Sequence, residues 1–266
     1  MIRDITLGQF YPADSVLHRL DPRVKLVGTL IYVISLFLFQ SFTGYIVATV
    51  FLVSMIVLSH VPVGFMFRGL KAIFILLLFT AVLNTFLTPG RELVSFWKIT
   101  ITIEGLRMAA FMVIRLVYLI VGSSIMTLTT TPSDLTDGLE KGLSWLKVFG
   151  IPVHEIAMMM SIALTFIPIL LEETDRIIKA QQARGADFES GNIIRRVRAL
   201  VPILVPLFVS AFRRANDLAL AMESRCYRGG EGRTKLYPLK YTLRDGIAYA
   251  VLVVYMVAIV VVGFIL

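Results

Sequence analysis

The chain has 266 residues, 57% of them hydrophobic and 17% charged. Soluble domains sit near 45–50% apolar and about 25% charged, so this composition excludes a disordered chain and argues against an ordinary soluble enzyme. One cysteine excludes an internal disulfide framework and a Cys-based zinc site, and a net charge of +8 in so apolar a chain points first to membrane topology, with no nucleic acid as partner.

Met1–Asp21 is polar and lacks an apolar signal region, so no cleavable signal is expected and the first span inserts as it stands. Lys25 and Arg68 bracket 42 uncharged residues. As one helix these would measure roughly 63 Å, twice a ~30 Å hydrocarbon core. The run therefore folds back at Gln40-Ser41-Phe42-Thr43-Gly44, giving spans near 26–41 and 44–61. Ala72–Gly90 supplies 19 uncharged residues and a third span near 70–88. A fourth, about 106–128, contains Arg115, and the 21 residues of Gly246–Leu266 form the last. The expected fold is an all-α membrane protein with about five transmembrane helices: residues 1–129 form an N-terminal membrane part, 130–245 a cytoplasmic or interfacial helical region, and 246–266 a C-terminal transmembrane helix.

Two shorter uncharged runs, the 16 residues of Ile156–Leu171 and the 14 of Ala199–Phe212, fall below the ~20 residues of a normal span. Strong charge follows each, so they read as helices at the interface or packed on other helices. Thr130–Asp245 carries 16 Lys+Arg and 13 Asp+Glu, and placing it with the N-terminus in the cytoplasm satisfies the loop charges.

Within 130–245, Thr131-Pro132-Ser133-Asp134 opens a helix, with Ser133 or Asp134 as cap. A second helix runs from about His154 to Ala183-Arg184-Gly185. A third starts at an Asn192 cap, and Pro202 and Pro206 mark or kink the start of a fourth over about Ile203–Tyr227. Ala211, Ala215 and Ala219 recur every four residues, a small-residue face that admits close approach of another helix. Both charged helices end in an arginine between small residues: Ala183, Arg184 and Gly185, then Ser224, Arg225 and Cys226. An acid lies about two turns before each, Asp175 and Asp217. An arginine there complements the helix dipole, and its planar fork also suits a carboxylate-lined pocket on a partner.

No Gly-x-x-x-x-Gly-Lys-Ser/Thr run is present, and His18, His60 and His154 lack metal-ligand spacing. Acidic residues are missing from the five expected spans, against the relay of an ion-coupled carrier. Arg115 is expected to find a buried partner or to reach toward the outer interface. A stand-alone secondary transporter and a membrane-embedded lipid enzyme remain as alternatives. The first lacks internal repeats; the second has only His154-Glu155 as a candidate pair. Arg195-Arg196-x-Arg198 suits anionic lipid or a solvated helix face.

Several segments together carry a family likeness: Leu17-His18-Arg19-Leu20-Asp21-Pro22-Arg23-Val24-Lys25, Arg115-Leu116, Thr130-Thr131-Pro132, Phe166-Ile167-Pro168, Ala180–Gly185, and Arg213-Arg214-Ala215 through Arg225. With them the chain resembles, nearly end to end, the EcfT-type transmembrane coupling subunits of energy-coupling factor (ECF) transporters, related to the cobalt-transport component CbiQ. The resemblance implies a non-enzymatic, multi-pass subunit in a prokaryotic plasma membrane, partnered by two ABC-type ATPases, a small vitamin-binding membrane subunit and the lipid bilayer. It implies no cofactor in this chain, with ATP-Mg on the ATPases. It also implies that two long coupling helices cross and that Arg184 and Arg225 dock in ATPase grooves, with Ala211, Ala215 and Ala219 at the crossing. Cys226 departs from the glycine frequent in the family. Its Cβ disfavours a left-handed cap, so the second helix is expected to continue toward Gly229-Gly230.

Overall fold

The computed structural model describes residues 10–39, 42–96, 99–186, 193–230, 236 and 238–265. They form two compact units, one from Gly8–Leu139 with Leu239–Leu266 and the other from Glu140–Pro238. Among the described residues the secondary structure is helical apart from one hairpin.

The first unit contains α1 (Pro22–Leu38), α2 (Phe42–Ser59), α3 (Val63–Leu87), α4 (Ile103–Thr129), most of α5 (Pro132–Gly142) and α8 (Leu243–Ile265). Between α3 and α4 the chain forms an antiparallel hairpin, β1 (Glu92–Phe96) and β2 (Ile99–Thr102). The alternating β-branched run Ile99-Thr100-Ile101-Thr102 suits a strand. α4 packs on α1, α2 and α3, and α8 packs on α1 and α2.

Apolar burial drives helix association weakly when the surroundings are lipid, so close packing and internal hydrogen bonds must hold such a bundle. The fully buried Leu36, Ser35 and Met66 lie in this core. Ser35 Oγ and Tyr255 Oη are 2.7 Å apart, Thr49 Oγ1 and Tyr118 Oη are 2.6 Å apart, and Phe51 stacks on Tyr255 with ring centroids separated by 4.1 Å. Arg115, expected inside the fourth span, donates from Nη2 to the Phe39 carbonyl at 3.2 Å. Phe39 is the C-cap of α1, so the guanidinium satisfies a carbonyl that the helix leaves without an internal donor.

The N-terminal motif forms a collar. Asp21 caps α1 by accepting from the Arg23 N–H, and Pro22 occupies the first helical position. Arg23 returns two side-chain hydrogen bonds to the Asp21 carboxylate at 2.9 and 3.0 Å, and its guanidinium lies 4.0 Å from the Tyr241 ring centroid. The Asp21 N–H donates to Asp245 Oδ1 at 2.8 Å, tying α1 to the start of α8. Lys25 Nζ donates to the carbonyls of Thr129 and His18 at 2.8 and 3.2 Å. Burial pushes the His18 imidazole below its usual pKa.

Several expected boundaries move. By length and hydropathy α2, α4, α6 (Val153–Ala183), the Arg198–Ser224 part of α7 (Ile193–Ser224) and α8 are each able to cross a membrane. The bent pair Val63–Lys71 and Ile73–Leu87 would make a sixth, its halves meeting at 62°. This set differs from the five expected spans. α1 has 17 residues, at the short limit for a span, whereas the runs of 16 and 14 uncharged residues extend into unbroken helices of 31 and 32. α5 is capped by Thr131, whose Oγ1 accepts from the Asp134 N–H at 3.1 Å, and not by Ser133 or Asp134. The Asn192 cap and the Gln40-Ser41 part of the first turn lie outside the described residues.

Candidate functional site

The second unit is dominated by α6 and α7, which pack on each other. The two helices expected after residue 192 are one: α7 runs unbroken through Pro202 and Pro206. A proline inside a helix removes the hydrogen bond to the carbonyl four residues back. For Pro206 that carbonyl belongs to Pro202, and Gln181 Nε2 of α6 donates to it at 3.5 Å. A second tie joins Glu173 to Arg214, Oε2 to Nη2 at 3.5 Å. It is partly exposed and contributes little stability by itself. As the chain climbs α6 from Glu173 to Gln181, its partners fall along α7 from Arg214 to Pro202, so the two helices run antiparallel.

That arrangement separates the arginine tips. Pro202 lies opposite Gln181, near the Arg184 end of α6, and 23 residues before Arg225. At 1.5 Å per residue this is about 35 Å of helix. The two tips project from opposite ends of the pair.

Each tip is built the same way. α6 ends at Ala183, with Arg184 as C-cap and Gly185 left-handed at φ 87°. The Gly185 N–H donates to the Gln182 carbonyl at 2.9 Å and the Ala186 N–H to the Gln181 carbonyl at 3.0 Å, the paired bonds of a Schellman motif. α7 ends at Ser224, and the Cys226 N–H donates to the Glu223 carbonyl at 2.8 Å and the Tyr227 N–H to the Met222 carbonyl at 3.0 Å. Arg225 holds the position of Arg184, and Cys226, left-handed at φ 56°, holds that of Gly185. The expectation that α7 would continue to Gly229-Gly230 is therefore corrected. The two Schellman hydrogen bonds impose the left-handed turn despite the Cβ, which costs roughly 1–2 kcal/mol in that region.

Ala183, Arg184, Gly185, Ser224, Arg225 and Cys226 are all exposed, and among the described residues neither guanidinium makes an ion pair. Asp175 and Asp217 make none either. Each tip thus presents a fork of donors beyond a helix end that carries partial negative charge.

The alanine stripe divides. Ala211 is half-buried, while Ala215 and Ala219 are exposed. The more buried side of α7 runs through Ile203, Leu207, Ala211, Arg214 and Leu218, leaving the small residues beyond Ala211 as an open face. His154, half of the only candidate acid–base pair, is held by Glu140, Nδ1 to Oε1 at 2.8 Å, and its ring lies against Gly230. Among the described residues, no group of three or more His, Cys, Asp or Glu is placed to hold a metal ion.

Residue reasoning missed the repeated cap and the Gln181 tie. The cap had a signal: aligning Ala183-Arg184-Gly185 on Ser224-Arg225-Cys226 places a small residue at the left-handed position twice.

Residues 13–236 match the family model described as cobalt transport protein, CbiQ. The chain is 58% identical over 250 residues to the energy-coupling factor transporter transmembrane protein EcfT of Clostridium kluyveri, covering 93% of each chain. It is 53% identical over 248 residues to the protein of that name from Thermosediminibacter oceani, covering 93% of this chain and 94% of the relative. With the one from Lactococcus lactis subsp. cremoris it shares 44% identity over 247 residues, covering 92% and 93%.

Proposed function

The chain belongs to the CbiQ family and to its EcfT-type transmembrane proteins of energy-coupling factor transporters, and from that premise we propose that it transmits ATP-driven motion between proteins without being an enzyme itself. Two cytoplasmic ABC-type ATPases, which bind ATP-Mg, drive the motion. Arg184 and Arg225 receive it, and the α6–α7 pair carries it to a small vitamin-binding membrane subunit. The chain lies in a prokaryotic plasma membrane with its N-terminus in the cytoplasm.

The observation that carries this reading is the repeated tip: the same cap, the same exposed arginine, at opposite ends of one antiparallel pair. A guanidinium on a rigid helix end is pre-organised for a carboxylate, which it binds through two parallel hydrogen bonds. A spacing of the order of 35 Å suits one tip per ATPase. The tips differ at Ala183/Ser224 and Gly185/Cys226, which fits two unlike grooves. Beyond the half-buried Ala211, Ala215 and Ala219 offer an open small face along which a partner helix slides.

Affinity purification from the native membrane tests this reading. Wild type is expected to bring down ATPases and a small hydrophobic protein, and Arg184→Glu or Arg225→Glu to lose ATPase or to hydrolyse ATP without uptake. Full complex yield and full transport from both variants would end the docking proposal.

A further inference from the structure

The first unit holds an apolar cleft of about 200 Å³ between α1, α2, α4 and α8, which the coupling reading does not use. Its lining descends from Lys25 to Tyr32 on α1 and from Arg244 to Leu252 on α8, while α2 and α4 run the opposite way along it. Seven or eight residues of helix make it about 12 Å deep. Tyr32 and Phe51 close the inner end. Gly28 and Gly122 shape its walls: a Cβ at Gly122 would run into the Tyr32 ring, and one at Gly28 would meet Leu252 at 3.2 Å.

The mouth differs in kind from the walls. The charged residues lining the cleft are Lys25 and Arg244, both cations, and no carboxylate lines it. Lys25 Nζ is held by two carbonyls, and Arg244 is exposed and makes no ion pair among the described residues. Of the nearby acids, Asp14 is held by Arg19, Asp21 by Arg23, and Asp245 by the Asp21 N–H and Thr242, while Asp134, which also acts on Lys25, accepts from the Thr131 hydroxyl.

We propose that this cleft binds one acyl chain of an anionic phospholipid, with the phosphate headgroup held at Lys25 and Arg244. A narrow apolar slot with cations only at one end is complementary to a molecule that is apolar along its length and anionic at one end. A purely apolar occupant, such as a side chain from a partner helix, would leave the Arg244 guanidinium unanswered. A soluble anion would leave the slot empty. The site sits beside the N-terminal end of α1, and it does not depend on the docking of the arginine tips.

The test uses the full chain in nanodiscs of phosphatidylglycerol mixed with phosphatidylcholine, followed by delipidation in detergent and lipid counting by mass spectrometry. A photoactivatable acyl phosphatidylglycerol maps the site. Wild type is expected to retain phosphatidylglycerol over phosphatidylcholine by about fivefold or more, since one cation near an anionic headgroup is worth about that factor. Arg244→Glu removes the preference, Thr29→Trp fills the slot and lowers retention of both lipids, and the photoadduct falls on cleft residues. Equal retention of the two lipids by wild type, an unchanged preference in Arg244→Glu, or an adduct on a co-purified protein or a distant face would overturn the proposal. Arg244 is exposed, so its variant reports even if Thr29→Trp fails to fold.

Discussion

Gln181 of α6 donates to the carbonyl of Pro202 on α7, the carbonyl that Pro206 deprives of its helical partner. This contact therefore joins the two long helices and supplies a donor to the carbonyl that Pro206 cannot serve. At 3.5 Å it is a long hydrogen bond at an exposed position, so its contribution lies at the low end of the range for an intramolecular hydrogen bond.

This pairing predicts a coupled pair of substitutions. Gln181→Ala should destabilise the chain by about 0.5–1 kcal/mol in detergent melts. Pro206→Ala restores an N–H for the Pro202 carbonyl, so in that background the Gln181→Ala cost should shrink toward zero. Equal costs in both backgrounds would mean that Gln181 acts elsewhere.

Cys226 sits left-handed where α6 has Gly185. Cys226→Gly should relieve the Cβ strain and steady the end of α7 by about 0.5–1 kcal/mol, while Gly185→Ala should destabilise the end of α6 by a similar amount. Hydrogen exchange at Cys226 and Tyr227, the two cap donors, reads the first, and slower exchange is the expected sign.

Arg115 caps α1 through the Phe39 carbonyl. Arg115→Met should cost about 1–3 kcal/mol by leaving that buried acceptor without a donor. Arg115→Lys should recover part of the loss if capping is the role. A Lys variant as damaged as the Met one would instead point to the guanidinium's packing over the Phe37 ring, 5.3 Å from its centroid.

His18 titrates within the collar. Its Nε2 faces the Tyr11 carbonyl at 3.0 Å and so carries the proton, and Nδ1 accepts from the Ser15 hydroxyl at 2.7 Å. Burial lowers its pKa below the ordinary value of about 6.5, so the unfolded chain takes up a proton more readily than the folded one. The His18 contribution is complete above about pH 6.5 and is lost as pH falls through that value toward the lowered one. Melting temperature should drop across this window in wild type, and less so in His18→Gln.

Hydropathy and charge spacing are properties of short stretches, and they established the membrane character, the helical class and the place where the uncharged runs end. The Asp21-Pro22 start of α1 and the two arginine ends were legible for the same reason: caps are made by neighbours in sequence. The continuity of α7 was not legible, because two prolines argue locally for a break and only the packing of α6 against α7 answers them. The left-handed Cys226 was hidden likewise, since the preference against a Cβ there is local and two cap hydrogen bonds override it. Most of all, sequence places Arg184 and Arg225 only 41 residues apart along the chain, without a direction in space. Antiparallel packing, tied at Glu173–Arg214 and Gln181–Pro202, is what sends them to opposite ends of one helix pair.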